Sequence, residues 1–298
     1  MTIREITQKM YSKYKLSPID MGILLSLAGN FSKEHILAHP EKKLSAMQTK
    51  KFDSFCARRA SGEPVAYIAG KKEFFGLEFL VNKDVLIPRP ETELLVEETI
   101  KKINKFFAET RLIASLHEND KLTVIDVGTG SGNIIISIAK NIPQIFQKKT
   151  NFYAIDISKE SLRVAKANTK KHKVDKKIKL VQSDMLEYFV KRKIKLENIL
   201  IVANLPYVSE NIYKQNYKNL KYEPKKALLS GRRGLQHYKD LFAEIKKILI
   251  TAHCSLFIEF SPEQKPEIGR IIKKCLPKAK TKFFKDLAGK WRMTEVKT

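Results

Sequence analysis

The chain has 298 residues, 43% of them hydrophobic, enough for one large domain or two modest ones around a real core. No apolar run approaches the roughly 18–20 residues of a membrane helix, the first twenty residues lack a secretory pattern, and Cys56, Cys254 and Cys275 are too far apart for a CxxC zinc site or a disulfide framework. The formal net charge of +25 leaves two readings open, a solvated basic surface and attraction to RNA, and the excess of lysine over arginine favours the first.

From Thr2 to about Ser61 the pattern is helical, with Leu24, Leu25 and Leu27, then Ile36 and Leu37, then Phe52, Phe55 and Cys56 as apolar groups, and with Gly29-Asn30 and His39-Pro40 as breaks. The period changes over Pro64 to Pro90, where Phe74, Phe75, Leu77, Phe79 and Val81 with Gly70 and Gly76 predict a β-hairpin. Pro90 suits the first turn of a helix running to about Phe107, with Glu91 and Glu93 near its positive end. After Lys121 strands and helices alternate. Strands are expected over residues 122–127, 152–157, 178–181, 199–203 and 255–260, and helices over 134–139, 158–172 and 238–250. This alternation predicts an α/β unit with a parallel sheet covered on both faces, whose ligands bind beyond the carboxyl ends of the strands. The expected organisation is a helical unit over 1–63, a linking hairpin over 64–90 and the α/β domain over 91–298.

Four motifs sit just after strands. Asp126-Val127-Gly128-Thr129-Gly130-Ser131-Gly132 follows the first and has GxGxG spacing, with Asn133 where a dinucleotide fingerprint needs its third glycine. Glycines there let the backbone turn and approach a ligand closely. Asp156 ends the second strand, where a carboxylate can accept hydrogen bonds from ribose hydroxyls, while Ser158 is better placed to cap the next helix. Ser183-Asp184-Met185 follows the third, where an adenine can pack against Met185 or Met185 can be ordinary core. Asn204-Leu205-Pro206-Tyr207 follows the strand ending at Ala203. Its asparagine oxygen and the Leu205 carbonyl can each accept one N–H of a planar nitrogen target, Pro206 fixes the turn, and the Tyr207 ring can stack on the planar group.

The glycine loop resembles motif I of class I methyltransferases (Rossmann-like), which holds S-adenosylmethionine, and Asn204 to Tyr207 resembles the (N/D)PPY signature of those acting on amide or exocyclic amine nitrogens. The second motif alone leaves open an adenine-N6 methyltransferase of RNA or DNA. The upstream segments Glu63-Pro64-Val65-Ala66-Tyr67-Ile68, Phe74-Phe75-Gly76-Leu77-Glu78-Phe79 and Val85-Leu86-Ile87-Pro88-Arg89-Pro90-Glu91-Thr92-Glu93 resemble the release factor glutamine methyltransferases, the PrmC/HemK family. So do Tyr222-Glu223-Pro224, Ile258-Glu259 with Gln264, and Lys285-Asp286-Leu287-Ala288-Gly289. The resemblance implies methylation of the glutamine in the Gly-Gly-Gln loop of class 1 peptide chain release factors in the cytoplasm, with S-adenosylhomocysteine as by-product and no metal, nucleic acid or membrane required. It implies cofactor binding by Gly128, Thr129, Gly130, Ser131, Gly132, Asp156, Met185 and Asn204. Substrate binding falls to Asn204, Leu205, Pro206 and Tyr207, with Asn204 and Tyr207 as the catalytic pair and no histidine base. Two positions depart from the family pattern: Leu205 stands where a proline is usual, and Met185 where an aromatic is often found.

Overall fold

The computed structural model describes residues 1–112, 121–194, 196–248 and 253–298. The chain opens with helices α1 (Ile3–Tyr14), α2 (Pro18–Gly29), α3 (Lys33–Ala38) and α4 (Ala46–Ala60). Their starts follow the side chains: Thr2 with Glu5, and Ser45 with Gln48, form reciprocal capping boxes that satisfy otherwise orphaned amides. Ile6, Leu24, Phe52 and Cys56 are buried at the centre of this unit. The hairpin expected from Pro64 begins later than the sequence pattern suggested. Residues Val65–Ala69 form a further helix, α5, whose Val65 and Ile68 pack on the same N-terminal core. That three-residue spacing is a helical one, and it carries the helical unit to Gly70.

The hairpin proper pairs β1 (Lys71–Phe74) with β2 (Leu77–Leu80). It packs against the following domain, since Phe74 and Phe79 are buried in a cluster with Leu95, Val96 and Ile135. Two side chains tie it down. Glu93 Oε1 accepts the Phe75 amide at 2.8 Å, at a residue with φ of 52°. Asn168, fully buried, accepts the Leu80 amide at 2.7 Å and donates to the Leu80 and Ser131 carbonyls at 3.0 and 2.8 Å. One amide thus joins the hairpin edge, a helix of the α/β domain and the glycine loop.

A 3₁₀ turn, Pro90–Thr92, leads into α6 (Glu93–Leu112). The α/β domain continues through β3 (Leu122–Val127), α7 (Asn133–Asn141), α8 (Gln144–Lys148), β4 (Thr150–Asp156), α9 (Lys159–Lys171), β5 (Ile178–Gln182) and α10 (Glu187–Lys191). Then come β6 (Asn198–Ala203), α11 (Glu210–Gln215), α12 (Tyr217–Leu220), α13 (Gln236–Ile248), β7 (His253–Glu259), α14 (Lys265–Cys275), β8 (Lys280–Lys285) and β9 (Trp291–Lys297). The last residues expected for the helix at 238–250 lie outside the described residues. The sheet has seven strands in the order β5-β4-β3-β6-β7-β9-β8. The first five in that order are parallel, and β9 joins β7 antiparallel, followed by β8. All six side chains of β3 are buried, as a central strand covered on both faces requires. One face carries α6 and α7 with the hairpin, the other α10, α13 and α14. Cys56 and Cys254 are buried free thiols, whereas Cys275 is only half-buried. No described helix is long and apolar enough to cross a membrane.

Candidate active site

A cavity of about 360 Å³ opens at the carboxyl ends of β3, β4, β5 and β6, on the side where parallel α/β sheets hold their ligands. Gly128, Thr129, Gly130, Ser131, Asp156, Met185, Asn204, Leu205 and Pro206 all line it. Gly132 and Tyr207 do not appear on its wall. Gly132 instead caps α7 from behind the loop, where a side chain would meet Ile136 and Ala165.

Gly130 is the half-buried lip of the loop. Its φ of +55° is unfavourable for side-chain-bearing residues, and a Cβ built on it meets no protein atom within 4 Å, so its open face is cavity. Its amide donates to Asp156 Oδ2 at 2.9 Å, while the Ser158 amide donates to Asp156 Oδ1 at 2.9 Å. Burial pushes the Asp156 carboxyl up, and the Ser158 and Gly130 amides oppose that shift. Ser158 caps α9 through the Ser161 amide at 3.1 Å, which leaves Asp156 facing the cavity. The Ser183-Asp184-Met185 segment lies on the adjoining wall, with Met185 at φ of 40° and packed on the core cluster beneath. The residues present therefore fit an adenosyl ligand: a backbone lip without a side chain, a carboxylate at a strand end, and a wall carrying a thioether.

Asp126 stands beneath this surface. It is fully buried and accepts the Thr129 hydroxyl at 2.7 Å, and burial raises its pKa to about 7. A carboxyl whose folded pKa exceeds its unfolded one, near 3.8, stabilises the fold below that lower value, and the contribution is lost as pH rises towards 7. Asp126→Asn keeps an acceptor for Thr129 and removes the titration. Its melting temperature relative to the parent should therefore rise steadily between pH 5 and pH 7; a constant difference across that range would exclude this role for Asp126.

Asn204 follows β6 and donates through Nδ2 to Thr92 Oγ1 at 3.0 Å, so its Oδ1 lies on the opposite side of the amide. Leu205, in place of the family's proline, is buried, and its Cδ2 would lie 3.1 Å from a Cβ on Gly128. Packing against the glycine loop, instead of a pyrrolidine ring, holds this backbone. Tyr207 turns its hydroxyl inward, donating to Glu259 Oε1 at 3.1 Å, and burial pushes that phenol up. The expected stacking position of its ring is thus not on the cavity wall. Gln264 donates to the Tyr207 carbonyl at 3.0 Å, and Gly234 packs so closely that a Cβ there would sit 2.1 Å from the same oxygen.

Other wall residues have no role in the sequence reading. Asp84 to Leu86, Pro88, Arg89 and Thr92 form one side of the cavity, Lys225 and Lys226 part of another, and His237 also lines it. Arg89 pairs with the buried Glu223, whose Oε2 accepts the Ile87 amide at 3.2 Å. This pair clamps the linker to the segment carrying Lys225. Tyr222 adds a tie to the helical unit by donating to the Ser61 carbonyl at 2.9 Å. Arg89, Thr92, Glu223 and Glu259 all fall within the segments that resemble the family, but no local pattern marked them as neighbours. Among the described residues no cluster of three or more His, Cys, Asp or Glu side chains is arranged to hold a metal.

Residues 118–260 match the family model of a methyltransferase domain, and residues 4–70 match that of a PrmC N-terminal domain. The hMettl16 catalytic domain, solved in complex with an MAT2A 3′UTR hairpin, superposes with a TM-score of 0.52 at 13% identity over 95% of this chain and 92% of that one, a likeness of fold alone. Fold, glycine loop and domain match define an S-adenosylmethionine-dependent class I methyltransferase. The chain is 33% identical to the release factor glutamine methyltransferase of Coxiella burnetii over 83% of its length and 80% of that protein's. It is 34% identical to that of Bacillus subtilis, over 91% and 88%. It belongs to the release factor glutamine methyltransferase family.

Proposed function

We propose that this enzyme transfers a methyl group from S-adenosylmethionine to the side-chain amide nitrogen, N5, of the glutamine in the Gly-Gly-Gln loop of class 1 peptide chain release factors. The observation that carries the reading is that Asn204 and Leu205 line the same cavity as the glycine loop and Asp156. S-adenosylmethionine, when bound, supplies a methyl group on a positively charged sulfur. Gly128 to Gly132, Asp156 and Met185 hold that cofactor, with Gly132 acting from behind the loop. Asn204 Oδ1 and the Leu205 carbonyl accept the two N–H groups of the glutamine amide and hold its nitrogen towards the cofactor. Tyr207 and Pro206 keep that turn in place. Positioning supplies most of the acceleration; the methylated amide releases its proton to water, so neither His237 nor any other side chain need act as a base.

The division of labour follows the three expected segments, residues 1–63, 64–90 and 91–298, with α5 added to the first. The helical unit docks the release factor, and the hairpin and Arg89–Glu223 clamp fix it relative to the cavity. We place the enzyme in the cytoplasm with its substrate, and its basic surface as solvated, so that nucleic acid is not required. Adenine methylation is the less favoured reading, given the glutamine methyltransferase relatives. The test is mass spectrometry of purified class 1 release factors incubated with the enzyme and S-adenosylmethionine. A single methyl on the Gly-Gly-Gln glutamine, absent from a Gln→Ala substrate, is expected; methyl incorporation into RNA and none into the release factor would overturn the proposal.

A further inference from the structure

The helical unit carries a cavity of its own, an open groove of about 510 Å³ between α1 and α4 that shares no residue with the active site. Ile6, Lys9, Met10 and Lys13 supply one wall, at the three- and four-residue spacings that place them on a single face of α1. Ala46, Thr49, Lys50 and Asp53 supply the other, at the same spacings on α4. The two helices run in the same direction. Thr2 bridges to Lys43 at one end, and Lys13 Nζ meets Asp53 Oδ1 at 3.0 Å towards the other. The opening between them has a local cause: the α4 stripe begins with two small side chains, Ala46 and Thr49, which do not fill the space in front of α1.

The groove has an apolar floor and a cationic rim. Ile6, Met10 and Leu44 are buried beneath it, while Lys9 and Lys50 stand exposed along it and make no ion pair with any described residue. Asp53 is the one acidic side chain on the wall, and it is already satisfied by Lys13 and by the Tyr14 hydroxyl, which donates at 2.9 Å. The groove is therefore left with unpaired positive charge over apolar surface. Two like charges on one groove add nothing to the stability of the helical unit. An RNA backbone would use the lysines and leave the apolar floor uncovered. An acidic peptide segment with an apolar anchor uses both, in the manner of a helix laid in a groove.

The groove is also within reach of the chemistry. Helix α4 leads from Asp53 to Ser61, a path of about 12 Å at the usual helical rise, and the Ser61 carbonyl accepts the Tyr222 hydroxyl at 2.9 Å. Tyr222 stands three positions before Lys225 of the active-site wall. We propose that the α1–α4 groove is the docking site for an acidic, apolar-anchored segment of the release factor, lying outside its Gly-Gly-Gln loop. This assignment rests on the reading of a class 1 release factor as substrate. Lys9 and Lys50 pair with the carboxylates of that segment, and its apolar side chain enters between Thr49 and Met10.

The experiment measures KM for an intact class 1 release factor, kcat at saturating factor, S-adenosylhomocysteine affinity and melting temperature for the full-length enzyme, for the double variant Lys9→Glu/Lys50→Glu, and for Thr49→Trp. Reversing both rim charges should raise KM about tenfold or more, with kcat, cofactor affinity and melting temperature unchanged. The parent's KM should climb as salt is raised, and that of the double variant should not. Thr49→Trp fills the groove without altering its charge, so it should raise KM while keeping the parent's salt dependence. Should Thr49→Trp not fold, Ala46→Leu, at an exposed position in the first turn of α4, occupies the same space. An unchanged KM in the double variant overturns the proposal, and loss of its binding to a single-stranded RNA oligonucleotide would assign the lysines to RNA instead. A raised KM in the double variant beside a parental KM in the filled-groove variant also overturns it, because charge alone would then act at a distance. Absence of any release factor methylation by the parent enzyme overturns the underlying reading, and with it the occupant.

Discussion

Asn204→Ala should lower the single-turnover rate of release factor methylation by about 10²–10³, the usual cost of deleting one preorganised polar contact at a reacting centre. The side chain lines the cavity directly after β6, and its Nδ2 is engaged by Thr92 Oγ1, so Oδ1 is the group available to the target amide. A glutamine amide held by two acceptors cannot rotate about its Cγ–Cδ bond. Held only by the Leu205 carbonyl, it spends most of its time with the nitrogen misdirected. The interaction counts most as the nitrogen is attacked, so the loss should fall on kcat with KM for the release factor little changed. S-adenosylhomocysteine binding should weaken only slightly. Near-normal turnover by a folded Asn204→Ala, or methylation persisting on a Gln→Ala release factor, would remove Asn204 from the mechanism.

Gly130→Val should abolish measurable cofactor binding at concentrations that saturate the parent enzyme. Two effects act at the same atom. The φ of +55° at Gly130 is a left-handed conformation that a β-branched residue adopts only with strain, of about 1–3 kcal/mol. Relief of that strain requires the loop to move, and the Gly130 amide would then leave Asp156. If the loop stays, the valine projects into the cavity, because no protein atom lies within 4 Å of its Cβ. The space in front of Gly130 is open cavity, so the fold should survive and the melting temperature should change by only a few degrees. Calorimetric titration with S-adenosylhomocysteine is the check. Parental affinity in the folded variant would show that the loop does not contact the cofactor.

The α/β domain, and the strand ends at which its cavity opens, are legible in the order of residues alone. Strands of a parallel sheet buried on both faces are largely apolar, so residues 122–127 and 199–203 stand out as nearly continuous runs. The glycine loop, Asp156 and Asn204 are legible for the same local reason, each lying directly after such a run. The N-terminal helices are legible through their apolar spacing and the breaks at Gly29-Asn30 and His39-Pro40. The closing β8–β9 hairpin was not. Lys280–Lys285 reads as Lys-Thr-Lys-Phe-Phe-Lys, an edge strand with mostly exposed side chains whose polarity hides it, and its partner β9 mixes charged with buried positions. Helix α5 was missed because five residues give barely more than one turn of periodicity.

Which groups stand beside one another at the site follows from long-range contacts. Asn168 reaches back 88 positions to Leu80, Glu223 spans 136 to Ile87, and Asn204 lies 112 beyond Thr92. Such pairs leave no period or spacing in the chain; they exist because the hairpin packs on α9, because β6 and β7 run side by side, and because the linker folds back across the strand ends. The same crossing turned Tyr207 away from the cavity wall and towards Glu259. Local sequence specifies which groups can do the chemistry, through strand ends and turns a few residues long. Which of them face the cavity, and in which hydrogen-bonding sense, is set by contacts that only the folded sheet brings together.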